Sequence, residues 1–127
     1  MAKRAATKGN DFVAQVLGLL TPLGPVRARA MFGGHGIYLD DVMFALIGWG
    51  GLWFRVDDDT KSRFAAAGSE PFVYQGKTKP VEMPYWRAPE GSLESPETLL
   101  PWAEFALGAA RRAKTEKTAR RRGRGQG

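Results

Sequence analysis

Cysteine is absent from the 127 residues, and histidine occurs once, at His35. The first absence excludes disulfide scaffolds, thiolate zinc sites, iron–sulfur clusters and cysteine nucleophiles. The second would hang any serine–histidine–acid triad or multi-histidine metal site on a single residue. Composition thus points away from an enzyme, and the sequence asks for no metal and no cofactor. Long apolar runs are missing too, since a membrane crossing takes about 20 such residues. A basic start, an apolar run from Phe12 to Leu23 and the stretch Ala28-Arg29-Ala30 imitate a secretory signal. Gln15 and Pro22 interrupt that run, and Arg27 and Arg29 crowd the place of cleavage. The expectation is a cytoplasmic chain with no membrane partner, in keeping with its lack of cysteine.

Charge is present but unevenly spread. Lys3, Arg4 and Lys8 make the first nine residues basic, and residues 111–127 carry eight basic residues against Glu116 alone. The stretch between them holds eight basic and twelve acidic residues, a net −4 inside a chain of +6. General attraction to nucleic acid therefore belongs to the ends and not to the fold. The division expected is a disordered basic N-terminus over 1–9, one domain over 10–113 and a disordered basic tail over 114–127.

Apolar period assigns the elements. Phe12, Val13, Val16, Leu17 and Leu20 form one helical stripe, bounded by Asn10 as N-cap and by Pro22 and Gly24. Extended segments follow at Val26–Phe32, Ile37–Leu39, Val42–Trp49 and Leu52–Val56, with turns at Asp40-Asp41 and Gly50-Gly51. Asp57-Asp58-Asp59 opens a second helix over about Thr60 to Ala67, where carboxylates cap free amides. Phe72-Val73-Tyr74 and Val81-Glu82-Met83 read as a hairpin turning near Gly76-Lys77, with Pro80 and Pro84 pushing one strand to an edge. Ser95-Pro96-Glu97 starts a third helix, striped with Leu99, Trp102, Ala103, Ala106, Ala109 and Ala110 to about Ala113. Hairpin strands imply an antiparallel sheet. The expected fold is α+β in two layers, about five strands with three helices mainly on one face.

The run Arg27-x-Arg29-x-Met31-Phe32-Gly33-Gly34-x-Gly36-Ile37-Tyr38, followed by Met43-Phe44-Ala45-Leu46, resembles the TfoX N-terminal domain family. The likeness continues through Phe54-x-Val56-Asp57, Pro71-Phe72-x-Tyr74, Met83-x-Tyr85 and Leu99-x-x-Trp102-Ala103-x-x-Ala106-Leu107, over about residues 11–112. The resemblance implies a fold similar to type III secretion chaperones and a link to transcriptional regulation, because the family's namesake regulates natural competence. It supplies no catalytic residue to carry over. A second helical domain follows in the namesake where this chain has its basic tail, so the expectation is a standalone domain.

Candidate sites divide into three. Gly33-Gly34-His35-Gly36 lacks the Lys-Ser/Thr and the following helix of a phosphate loop, and reads as a bulge or tight turn with His35 exposed. Strand alternation puts Leu52, Phe54 and Val56 on one face and Trp53 and Arg55 on the other. In the last strand it separates Val81, Met83 and Tyr85 from Glu82 and Trp86. Trp53, Arg55, Glu82 and Trp86 are then expected on an open face, as an interface for a homodimer or a protein partner, or as a ligand site. Lys117, Arg120, Arg121, Arg122 and Arg124 are candidates for non-specific nucleic-acid binding, without aromatic residues to stack on bases. The leading reading is a non-enzymatic regulatory module that acts through the open face. The alternatives are a nucleic-acid-associated protein with a basic tail, and a small-molecule sensor with its pocket between sheet and helices.

Overall fold

A computed structural model describes the backbone of residues 2–31 and 33–126, and the side chains of 11–31 and 33–117. Helix α1 spans Ala2–Leu19. Its apolar stripe turns Val13, Val16 and Leu20 into the core, as the spacing requires. A short 3-10 turn at Thr21–Leu23 ends it at the proline and glycine signals. Three antiparallel pairings then follow through β1 (Arg27–Met31), β2 (Gly34–Leu39), β3 (Val42–Gly48) and β4 (Gly51–Arg55). Helix α2 (Lys61–Ala66), β5 (Pro71–Gln75), β6 (Pro80–Arg87) and helix α3 (Pro96–Gln126) complete the order.

The sheet has six strands, one more than the sequence pattern predicts, in the order β1-β2-β3-β4-β6-β5. The proline-bearing strand β6 is interior, and β5 is the edge, contrary to the expectation from Pro80 and Pro84. Pro80 is tolerated as the first residue of its strand. Pro84 falls where the pairing with β5 jumps from Pro71↔Trp86 to Val73↔Glu82, so its missing amide falls at an irregularity of the ladder. Its carbonyl still accepts from Val56 N at 3.0 Å.

Two hairpin loops are two residues long with positive φ throughout. Asp40 and Asp41 join β2 to β3, and Trp49 and Gly50 join β3 to β4. The second loop sits one residue earlier than Gly50-Gly51, because Gly48 pairs with Gly51. The Gly33-Gly34-His35-Gly36 stretch is a strand from Gly34 onward and not a turn. His35 is half-buried in β2, paired with Ala30 and Ile47, instead of exposed.

All three helices contribute to one core layer against the sheet. Phe44, Phe54, Phe64, Ile37, Leu52 and Leu99 are its largest fully buried residues, together with Val16 and Leu20. Phe64 of α2 stacks between Phe54 of β4 and Trp102 of α3, at 6.3 and 4.9 Å between centroids. The N-cap signal at Ser95 holds: Thr98 N donates to Ser95 Oγ, while Ser95 N donates to Thr98 Oγ1. Where the apolar period stops, the helix does not. Backbone helix covers residues 2–10 and 114–126, which the sequence pattern assigns to disordered ends. Alanine, lysine, arginine and glutamate there are strong helix formers even without an apolar stripe.

Candidate functional site

With the helices packed on one side, the other side of the sheet has no second layer among the described residues, although α3 borders it at Met43, Arg55 and Tyr85. Cross-strand pairing defines its residues. A single row runs Arg29–Gly36–Leu46–Trp53–Arg87 across β1, β2, β3, β4 and β6. Farther along, Arg27, Tyr38 and Met43 lie on this face, Met43 three residues from Leu46 because the β2–β3 ladder shifts register there, as do Arg55 and Tyr85. Alternation therefore sends Arg27, Arg29, Met31, Gly34, Gly36 and Tyr38 to the same uncovered surface. These are the motif residues on which the family resemblance rests. Gly33 supplies a positive φ of 82° in the preceding turn, and Phe32 lies outside the described residues.

This face is only partly open to water. Leu46, Trp53 and Tyr85 form a small second core, packed by Met31, Met43, Phe72 and Met83. Trp53 and Tyr85 are each 4% exposed without a helix above them. Long side chains cover them instead. The Arg87 guanidinium lies 4.3 Å over the Trp53 ring and donates to Gly50 O at 3.0 Å. Phe72 stacks on Trp53 at 4.9 Å and on Trp49 at 5.2 Å. Trp53 Nε1 donates to Gly48 O at 2.9 Å, which satisfies the indole. Arg29 and Arg55 stand over Tyr38 and Tyr85, each at 5.7 Å. Burial pushes the Tyr85 hydroxyl's pKa up, against the lowering influence of Arg55 beside it.

The glycines of the motif make this low cover possible. A Cβ on Gly36 would stand 2.6 Å from Met43 Sδ and 3.1 Å from Met31 Sδ. A Cβ on Gly34 would collide with the Ile47 carbonyl and the Trp49 ring. Sulfur and indole therefore rest directly on backbone.

The expected open-face set is thus split. Trp53 and Arg55 are on the uncovered side, although Trp53 is buried there. Glu82 and Trp86 are not: Trp86 pairs with Phe54 and packs against the helix-side core. Both border a cleft beside the start of α2 with Val56, Asp58 and Lys61. The physical reason is register, since one residue of slip inverts every side chain of a strand. Tyr85, Met83 and Arg87 take the places assigned to Glu82 and Trp86. Sequence reasoning missed Arg87, Met43 and Leu46, whose alternation with Trp86, Phe44 and Ile47 was the available signal.

The acidic cluster is a cap. Asp57 Oδ1 accepts from Asp59 N, Thr60 N and Thr60 Oγ1, and Asp57 N donates to Thr60 Oγ1. Asp57 Oδ2 accepts from Arg112 Nε at 2.7 Å, tying α2's entry to α3. The Arg112 guanidinium, with the Thr60 bonds, holds the Asp57 carboxyl below the usual carboxylate range against the opposing effect of burial. Among the described residues no group of three or more His, Cys, Asp or Glu is placed to hold a metal ion. Nor is any helix among them long and apolar enough to cross a membrane. Lys117 is exposed on α3, and the side chains of Arg120, Arg121, Arg122 and Arg124 lie outside the described residues.

Comparison with known proteins identifies the family of the chain. The TfoX N-terminal domain model matches residues 18–110. The DNA transformation protein TfoX1 of Aliivibrio fischeri is 33% identical over 85 residues, which is 67% of this chain and 41% of the relative. Protein Sxy of Escherichia coli is 24% identical over 103 residues, 81% of this chain and 49% of the relative. The chain thus spans about half the length of these curated relatives. The family match takes in all six strands and α3 as far as Ala110, and on that ground the chain belongs to the TfoX N-terminal domain family.

Proposed function

We propose that this chain is a non-enzymatic regulatory module that works by docking a protein partner on the uncovered face of its sheet. One observation carries the reading. The strand residues of the family motif that are arginine, methionine, glycine or tyrosine all share that face, which among the described residues α3 only borders at one end, beside Met43, Arg55 and Tyr85. Packing alone gives no reason to place Arg27 and Arg29 on an edge strand facing the same way as a methionine layer. The naming of one relative as a DNA transformation protein supports a regulatory role connected with DNA transformation, and the proposal extends it to control of transcription. Cytoplasmic localisation accompanies this reading.

Photo-crosslinking tests it. Benzoylphenylalanine replaces Tyr38 or Tyr74 on the uncovered face, or Ser62 on α2, in cells of the protein's own source. A discrete higher-mass adduct is expected from the two face positions and none from position 62. An adduct of twice the chain's mass identifies the partner as a second copy. Adducts from position 62, with none from 38 or 74, overturn the reading.

A further inference from the structure

Charge on the strands of the uncovered face is segregated, although Glu116 of α3 borders the face near Arg55. All four strand arginines, Arg27, Arg29, Arg55 and Arg87, point to it, and no strand aspartate or glutamate does. Glu82, the acid within β6, belongs to the opposite parity. This holds although residues 10–110 are acidic overall. Arg27 is paired with Asp41 at 3.0 Å. Among the described residues Arg29, Arg55 and Arg87 have no carboxylate within ion-pair distance, whereas Arg111 and Arg112 do.

Arg29 stands at one rim of an apolar centre, and Arg87 is rooted at the other with its guanidinium folded inward over Trp53. Arg29 and Arg87 end the five-strand row described above, so their backbones stand about 19 Å apart at the usual spacing of neighbouring strands. On the strands between them lie Leu46, Trp53 and Met43, while Met31 shares β1 with Arg29 and Met83 shares β6 with Arg87; these are every methionine of the chain after the first residue. Trp49 is 44% exposed at the β3–β4 loop end of this surface, and Tyr74 and Val81 are 57% and 41% exposed toward its other end, near the β5–β6 hairpin.

Three occupants differ in fit. A second copy laid face to face would set arginine rims against arginine rims. A single-stranded nucleic acid stacks its bases on ring faces along its path, whereas this face presents methionine and arginine side chains over Trp53 and Tyr85. An α-helix is about 10–12 Å wide with its side chains and fits between the rims. Its apolar stripe would meet methionines, which re-pack around differing shapes. Carboxylates flanking that stripe would reach Arg29 on one side and Arg87 and Arg55 on the other.

We infer that the partner segment is an amphipathic helix, with acidic residues on both flanks of its apolar stripe, lying along the strands between Arg29 and Arg87. The inference rests on the proposed docking face and names the chemistry of its occupant.

A displayed library tests it, using peptides of about 18 residues, or five helical turns. Leucines are fixed at helical spacing, and glutamate, lysine, glutamine or serine varies at the flanking positions. Selection against the full-length chain is expected to enrich glutamate over lysine on both flanks. The recovered peptides should bind about tenfold more weakly to Arg29→Glu and to Arg87→Gln, and as well as before to Arg63→Glu on α2. Thermal melting of each variant separates lost binding from lost fold, and Arg29 is exposed on an edge strand, where replacement disturbs least. Recovered flanks that are neutral or basic, with binding still lost in Arg29→Glu, overturn the acidic helix and leave the docking face standing. Recovered peptides indifferent to both face variants overturn the two readings together. An oligothymidine that competes the peptides off the same face and binds more tightly than any of them replaces the helix with a nucleic acid.

Discussion

The two faces of the sheet bury aromatic rings by different physics. On the helix side, Phe44, Phe54 and Phe64 are fully buried between two layers of secondary structure. On the other side, Trp53 and Tyr85 are nearly as buried beneath single side chains: an arginine, methionines and one phenylalanine. Interlocked layers cannot close over a missing ring without moving backbone. Flexible side chains can, since methionine and arginine have many rotamers. The cover of the uncovered face is therefore built from side chains able to re-pack, unlike that of the helix side.

The largest expected effect tests that contrast directly. Phe54→Ala should cost about 3–5 kcal/mol, the usual range for a rigidly enclosed ring. Trp53→Ala should cost at least about 1 kcal/mol less despite the larger side chain, because its cover can collapse into the gap. Denaturant unfolding of both variants measures the difference, and equal losses would break the comparison.

Next in size is a pair of glycine substitutions on the uncovered face. Gly34→Ala sets a methyl against the Ile47 carbonyl, which cannot step aside, and should cost about 2–3 kcal/mol. Gly36→Ala meets methionine sulfurs, which can swing away, and should cost about 1 kcal/mol or less. The order of the two midpoints, more than either value, shows whether the methionine layer is as pliable as its chemistry implies.

The smallest effect lies on the helix side, at the exposed pair of Arg112 and Asp57. Asp57 is held below the ordinary carboxylate range in the folded chain, so its ion pair stabilises the fold above the unfolded value. That contribution fades as pH falls below about 4 and through the depressed folded value. Arg112→Gln should thus cost about 0.5–1 kcal/mol at neutral pH, an amount limited by solvent screening. The gap from the parent chain should narrow toward pH 3 in urea titrations. A gap that persists there would assign Arg112 a packing role independent of charge.

Much of the helix-side architecture is legible in the sequence. The stripe of Phe12, Val13, Val16, Leu17 and Leu20, the Ser95 cap and the Leu52, Phe54, Val56 alternation each turn the expected residues inward. The parity of β6 is not legible. Val81, Met83 and Tyr85 look as fit for a core as Trp86, because both alternating sets contain aromatic or apolar residues. Two prolines also interrupt the strand's propensity. Pairing with β4, at Phe54↔Trp86, settles which set faces the helices. The burial of Trp53 was hidden for a related reason. Its cover comes from Arg87 and Phe72, which are 34 and 19 residues away in the chain.

The sequence by itself determined the helix stripes, the Ser95 and Asp57 caps, the hairpin count and family membership, since these rest on local spacing and on residue types within reach of one another; Asn10, expected as a cap, lies instead inside α1. Tertiary structure alone decided the order of the sheet, the face of each β6 residue and the placing of Arg29 and Arg87 on opposite rims of one apolar surface. Those depend on which strand pairs with which, and in what register. A two-residue alternation fixes faces only relative to a partner strand, and that partner is chosen by the packing of the whole sheet.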